Sequence, residues 1–192
     1  MALPAEKERY TFADYLTWGE DERIEIIDGE VFLMAPAPSR AHQGISMELS
    51  RQLANYLEGK KCRAYHAPFD VRLFEKDGNR PEDVDTVVEP DITIVCDPSK
   101  LDDRGCKGAP DMVVEILSPS TQRHDRLVKL GLYQRARVRE YWIVNPEDQT
   151  VQVMLLDGGG VLQLHEVYDR AGVAKVNVLD GCFIELSKVF SE

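Results

Sequence analysis

Two acidic residues stand in stretches that are otherwise built for burial. Asp91 belongs to "VVEPDITIVCD" and Glu115 to "PDMVVEILSPST", and each is surrounded by branched apolar residues. Side chains alternate along a strand, so Asp91 shares a face with Thr93 and Val95, and Glu115 with Val113 and Leu117. A carboxylate taken out of water needs a basic group, a proton or a metal ion beside it. One such acid at a sheet rim, or paired with an arginine, is an ordinary structural feature. Two acids on strands that are neighbours in register would face each other, and like charges that close raise each other's pKa unless a cation separates them. Hard oxygen donors suit Mg²⁺ or Mn²⁺, which take one or two carboxylates with waters and substrate phosphate. The pattern therefore points to metal-assisted hydrolysis.

The second acid is followed by "SPSTQRHDRLVKLGLYQRARV". Its hydroxyl-rich opening is a good helix start, and a helix is expected from about Thr121 to Arg137. Asp125, Lys129 and Tyr133 are spaced by four and share one stripe of it. On a solvated face, Asp125 and Lys129 would form an exposed ion pair of little energetic weight. The alternative aims Lys129 at the open end of the sheet, where it could orient a water or stabilise charge on a phosphate.

Several elements must position these groups. "TFADYL" reads as a short helix capped by Thr11, and "RIEIIDGEVFLM" as a hairpin turning at Asp28-Gly29. Between Ser39 and Leu57 the residues Ile45, Leu49, Leu53, Tyr56 and Leu57 recur at helical spacing. "AYHAPFDVRLF" reads as a strand, and "TVVEPDITIVCD" as one interrupted at Pro90, which cannot donate to a ladder. "EYWIVN", "TVQVMLL" and "VLQLHEVY" are further strands. The expected fold is α/β (α+β mixed), with a central mixed sheet, an N-terminal β-hairpin and additional C-terminal strands. One domain is expected over Met1 to Glu192, its core running from Phe12 to Val153 and its C-terminal β extension from Met154 to Glu192. The residues after Gly158 carry no functional signal and are expected to complete the core or form an interface.

With 192 residues, 43% hydrophobic and 30% charged, the chain has the balance of a globular domain. No apolar run approaches the roughly 20 residues of a membrane span, and the first residues lack a signal-peptide core, so a cytoplasmic location is expected. The net charge of −11 argues against non-specific binding of nucleic acid, which depends on phosphate neutralisation. The four cysteines are scattered singly, with no C-x-x-C pair, which argues against a thiolate zinc site. Reduced thiols are expected. Cys106 lies beside Arg104 and Lys107, a setting that could lower a thiol pKa, but no histidine stands near it in sequence to make it a nucleophile.

"IEIIDGEVFLM", "SRAHQGI", "FDVRL", "VEPDITIV", "GAPDMVVEILSPST", "DRLVKLGLY" and "VREYWIVNP" follow one another in an order and spacing that resemble the Uma-two (Uma2) family. That family, formerly a domain of unknown function, is assigned to the endonucleases of the PD-(D/E)XK, restriction-endonuclease-like superfamily. The resemblance runs from Phe12 to Val153. It implies a central mixed sheet flanked by helices and a Mg²⁺-dependent (or Mn²⁺-dependent) DNA endonuclease site. Pro90-Asp91 matches the PD of the signature and Glu115 its second acid. The signature lysine would fall at position 117, where this chain has leucine, and Lys129 on the following helix matches its migrated counterpart. Glu25 matches the upstream acid, and His42 a recurrent position of the long helix.

By this resemblance, Asp91, Glu115, the main-chain carbonyl of Ile116 and Glu25 would hold the metal, while Lys129 places the attacking water. Asp125 and Tyr133 would support Lys129, and Ser118 and Gln122 would contact substrate. A homodimer acting on DNA is expected. Two alternatives remain open: a catalytically degenerate module that binds nucleic acid or protein, and a metal-dependent hydrolase of a small phosphoester. Presence of Glu25, Asp91, Glu115 and Lys129 together argues against the degenerate module.

Overall fold

A computed structural model of the chain describes residues 7–19, 23–34, 38–119 and 124–191, with the side chains of His124 and Asp125 outside the described set. Helix α1 (Phe12–Tyr15) opens at Thr11, whose N–H donates to the Asp14 carboxylate at 2.9 Å. Strands β1 (Ile24–Ile27) and β2 (Glu30–Leu33) form the expected antiparallel hairpin. Its turn needs two left-handed residues, and Asp28 and Gly29 supply them with φ of 53° and 83°. All four residues of β1 are buried, Glu25 among them.

Helix α2 (Arg40–Leu57) starts at Ser39, whose Oγ accepts the His42 N–H at 3.2 Å. Ile45, Leu49, Leu53 and Leu57, spaced by four, form its buried stripe. The single strand expected over "AYHAPFDVRLF" is two, β3 (Arg63–His66) and β4 (Val71–Arg72). They part at the cis Ala67–Pro68 bond, where Pro68 has no N–H to give a ladder. The interrupted strand is also resolved into parts. Val87 and Val88 make isolated bridges to Ile26 and Val71, and β5 (Ile92–Val95) begins only after Pro90-Asp91.

Strands β6 (Leu101–Asp102) and β7 (Gly105–Lys107) join β4 in a small sheet. The central sheet also contains β8 (Met112–Ile116), β9 (Glu140–Asn145), β10 (Thr150–Leu156) and β11 (Leu162–Asp169). Its order is β11-β10-β9-β8-β5-β3. Only β8 and β9 run parallel, so the sheet is mixed. Between them the expected helix is a π-helical turn, His124–Lys129, continued by α3 (Leu130–Ala136) and ended by Arg137 at φ 65°. Thr121, Gln122 and Arg123 lie outside the described residues.

Strand alternation divides the core. Met112, Val114 and Ile116 face one apolar cluster with the α2 stripe, while Val113 and Leu117 face another with Tyr133, Tyr141 and Val71. The tail closes the first cluster through β12 (Val173–Val176), β13 (Cys182–Glu185) and α4 (Leu186–Val189). Glu140, with no exposed surface, ties it down. Its carboxylate accepts the Trp142 Nε1–H and the Val178 N–H, each at 2.7 Å.

The cysteines depart from expectation in two ways. Cys62 and Cys96 form a disulfide, although 34 residues separate them. The antiparallel register of β3 and β5 ends at Arg63 and Val95, so the next residue on each strand lies opposite the other, with Cα atoms 3.9 Å apart. Cys106, placed by the sequence in a polar loop beside Arg104 and Lys107 that could lower a thiol pKa, has no exposed surface, and burial pushes its thiol up to about 11 against the pull of Lys100 and Arg72. Among the described residues no helix is long and apolar enough to cross a membrane.

Candidate active site

The candidate residues come from elements that meet where β8 ends. Glu25 lies in β1, Asp91 just before β5, Glu115 in β8, Lys129 at the end of the π-helical turn and Tyr133 in α3. Ile92 pairs with Val114 in the antiparallel register, so one step along Asp91 lies across from Glu115. The Ile116 N–H donates to Asp91 Oδ2 at 2.7 Å and fixes that carboxylate against the last residue of β8.

Lys129 joins two acids from different strands. Its Nζ lies 2.9 Å from Glu25 Oε1 and 2.9 Å from Glu115 Oε1, and all three side chains are at most 5% exposed. One ammonium between two carboxylates offsets much of the desolvation that would otherwise force a proton onto one of them. Glu25 Oε1 also accepts the Glu89 N–H at 3.0 Å, and Glu115 Oε1 accepts the Tyr133 hydroxyl at 2.5 Å. Complete burial pushes the Tyr133 phenol well above its usual pKa, and the negative charges of Glu115 and Glu25 add to that shift. The ring is therefore a permanent donor at neutral pH.

His42, in the first turn of α2, approaches Asp91 from its other oxygen. Its Nε2 lies 3.3 Å from Oδ1, with the two side chains 12% and 16% exposed. Burial lowers the pKa of the ring, but the hydrogen bond and charge of Asp91 and a backbone hydrogen bond with Ile116 leave it above its ordinary value. Among the described residues its Nδ1 is buried without a partner. Ser118 is half-buried just beyond β8. Gln122 and the Asp125 side chain lie outside the described residues.

Sequence reasoning missed a neighbouring network. Tyr15 Oη lies 2.9 Å from Asp70 Oδ1 and 3.0 Å from Glu89 Oε1. A phenol has one hydrogen to give, so hydrogen bonds at both contacts require a proton on one of the carboxyls. Burial raises both acids above the usual carboxylate range. For Glu89 the charges of Asp70 and Glu25 add to the effect, while the Tyr15 hydrogen bond opposes it for each acid. The network abuts the candidate site, because the Glu89 N–H holds Glu25. Glu89 directly before Pro90-Asp91 was the available signal, but its partner Tyr15 is 74 residues away.

The Uma2 family, described as "Putative restriction endonuclease", matches residues 12–187. The chain belongs to the Uma2 family. Relatives include "Uncharacterized protein slr1290" of Synechocystis, 27% identical over 172 residues that make up 86% of this chain and 85% of that protein. "Uncharacterized protein sll1609" of the same organism is 25% identical over 150 residues, 76% of this chain and 80% of that one. A crystal structure described as a putative nuclease belonging to DUF820, from Anabaena variabilis, superposes with a TM-score of 0.71 at 21% identity. It covers 95% of this chain and 98% of its own. This Uma2 chain therefore shares the fold of that protein, a central mixed sheet flanked by helices.

Whether this Uma2 site suits a divalent ion is a question of donor chemistry. Among the described residues no three carboxylate, histidine or cysteine side chains converge as an all-protein metal cage. Mg²⁺ does not need one, since one or two carboxylates, waters and a substrate phosphate complete its shell. Asp91 and Glu115, hard donors on adjacent strands, fit that requirement. His42 sits against the first and Lys129 against the second.

Proposed function

We propose that this Uma2 protein is a divalent-metal-dependent endonuclease that hydrolyses DNA phosphodiester bonds with water. Family membership and the fold shared with the Anabaena variabilis protein support the nuclease part. The observation that carries the chemistry is the placement of Lys129, whose ammonium joins Glu25 and Glu115 beside Asp91 at the end of β8.

In this reading Asp91 and Glu115, helped by Glu25 and the Ile116 carbonyl, hold Mg²⁺ or Mn²⁺. When bound, the ion supplies a Lewis acid for the phosphate and an acidified water. Lys129 donates hydrogen bonds to the attacking water or a phosphate oxygen and stabilises the charge that builds as the P–O bond breaks. Tyr133 holds Glu115 in place and Asp125 supports Lys129, while His42 holds the outer oxygen of Asp91. Ser118 and Gln122 contact the substrate. The eight-residue edge strand β11, with Leu164 and Val167 56% and 46% exposed, supports a homodimer.

Calorimetric titration with Mn²⁺ tests the site. Saturable binding by the wild type that is lost in Asp91→Ala and Glu115→Gln, together with metal-dependent nicking of plasmid lost in the same variants, is the expected result. Binding and nicking that survive both substitutions would refute it. The −11 charge favours a second reading, a hydrolase of a smaller phosphoester. A steep fall of DNA affinity with salt would decide against that reading.

A further inference from the structure

Two half-buried aromatic rings sit on the sheet face that carries the candidate site. Tyr65 in β3 pairs with Thr93 in β5, so its side chain lies on the same face as Thr93 and Asp91. Phe69, beyond the cis Ala67–Pro68 bond, stacks on it with ring centroids 4.3 Å apart and planes 4° from parallel. Both rings pack against the apolar cluster on that face and keep part of their surface in solvent. Their link to the acid is short, because Ala67, between the rings in sequence, donates its N–H to the Asp91 carbonyl at 3.0 Å. Diagonal neighbours on one face of a strand pair lie about 7–8 Å apart, so Tyr65 and Asp91 are within the span of one nucleotide. Strand β3 is the edge of the sheet, and among the described residues no further strand pairs with its outer side.

We propose that Tyr65 and Phe69 form a stacking platform for a nucleobase beside the scissile phosphate, and that the substrate is a strand whose base at that position is unpaired. The proposal rests on the nuclease reading and narrows its substrate class. Stacking on a ring needs only the π-face that every base has, and it does not depend on neutralising phosphates. A chain with a net charge of −11 has little to offer a phosphate backbone, so an attraction to bases is the one that suits it. In an intact duplex the faces of the bases are occupied by their neighbours, and only an unpaired or flipped base can reach a protein ring.

The test is fluorescence anisotropy in EDTA, with a labelled single strand of about 12 nucleotides and the same strand made abasic throughout. The wild type is expected to prefer the base-bearing strand by about tenfold, the scale of one base stack. Tyr65→Leu should erase that preference and Tyr65→Phe should keep it, with the salt slope of binding unchanged in both because no phosphate contact is lost. Phe69→Leu carries the same expectation as Tyr65→Leu if the latter fails to fold by circular dichroism. Equal binding of both strands by the wild type, or a preference that survives both leucine variants, overturns the platform. Metal-dependent cleavage of duplex DNA that Tyr65→Leu leaves untouched also overturns it and leaves the nuclease reading standing. Base-dependent binding without cleavage of any strand by the wild type keeps the platform and removes the nuclease.

Discussion

The Tyr133 hydroxyl donates to Glu115 Oε1 across 2.5 Å, from a ring with no exposed surface to a carboxylate on the neighbouring β8. A neutral donor held there fixes the direction of the acid without cancelling its charge. Tyr133→Phe removes only the hydroxyl and leaves the packing against Tyr141. The expected loss is about 1.5–3 kcal/mol, the scale of a hydrogen bond to a charged group, read by urea unfolding at pH 7. Weaker Mn²⁺ binding in the same variant would accompany a misdirected Glu115.

Lys129→Met keeps the length of the side chain and discards its charge. Glu25 and Glu115 would then face each other in a buried site with their shared cation gone. The expected cost is about 3–5 kcal/mol at neutral pH, with cleavage lost. Adding Glu25→Gln should recover part of the stability but none of the activity. Unfolding curves of the single and double variants decide this.

Asp70 and Glu89 have folded pKa values raised above their unfolded ones. The folded state therefore binds more protons than the unfolded state between the two values. Stability from these groups is fully present below the unfolded carboxylate pKa and is lost as pH rises through the raised folded values. Glu89→Gln removes one of the two titrations. The stability of this variant relative to wild type should increase from pH 4 to pH 8, measured by urea unfolding at each pH. A difference that stays flat would show that folding does not raise the pKa of Glu89.

Of four cysteines, Cys106 and Cys182 are free and buried while Cys62 and Cys96 are joined. Protein unfolded in guanidinium without reductant should titrate two thiols with Ellman's reagent, and four after reduction. Closing a loop across 34 residues constrains the unfolded chain, and reduction should cost about 3–4 kcal/mol. Four thiols without reductant would show the pair to be open.

Gly105 opens β7 at φ 120°, and a methyl there would run into the Asp70 carbonyl. That carbonyl accepts the Cys106 N–H at 2.8 Å and seats β7 on β4. Gly105→Ala should destabilise the fold by more than ~2 kcal/mol, a fall in melting temperature of about 4–8 °C. An unchanged melting curve would mean that the loop relaxes freely.

Local pattern is legible where a residue's fate depends on its chain neighbours. Asp28-Gly29 announces its turn, the four-residue spacing in α2 its buried stripe, and alternation in β8 puts Glu115 with Val113 and Leu117. The spacing of Lys129 and Tyr133 likewise shows that they share a stripe, and both meet Glu115 Oε1. What stays hidden depends on distant partners. Tyr15 reaches Glu89 across 74 residues, Cys62 meets Cys96 only through strand register, and buried Arg72 finds Asp102 through the small sheet. The break at Pro68 was visible as a residue type, but its effect, sending β3 and β4 to different sheets, was not.

The buried carboxylate of Glu140 has a consequence for the order in which the protein can be made. Its donor Val178, and the β12–β13–α4 segment that seals the same cluster, are synthesised only after β9, β10 and β11. At about 5–20 residues per second, the sheet face carrying Met112, Val114 and Trp142 would wait seconds for its cover after β9 has emerged. During that interval part of the apolar cluster stays uncovered, and the Glu140 carboxylate has its Trp142 donor but not yet that of Val178.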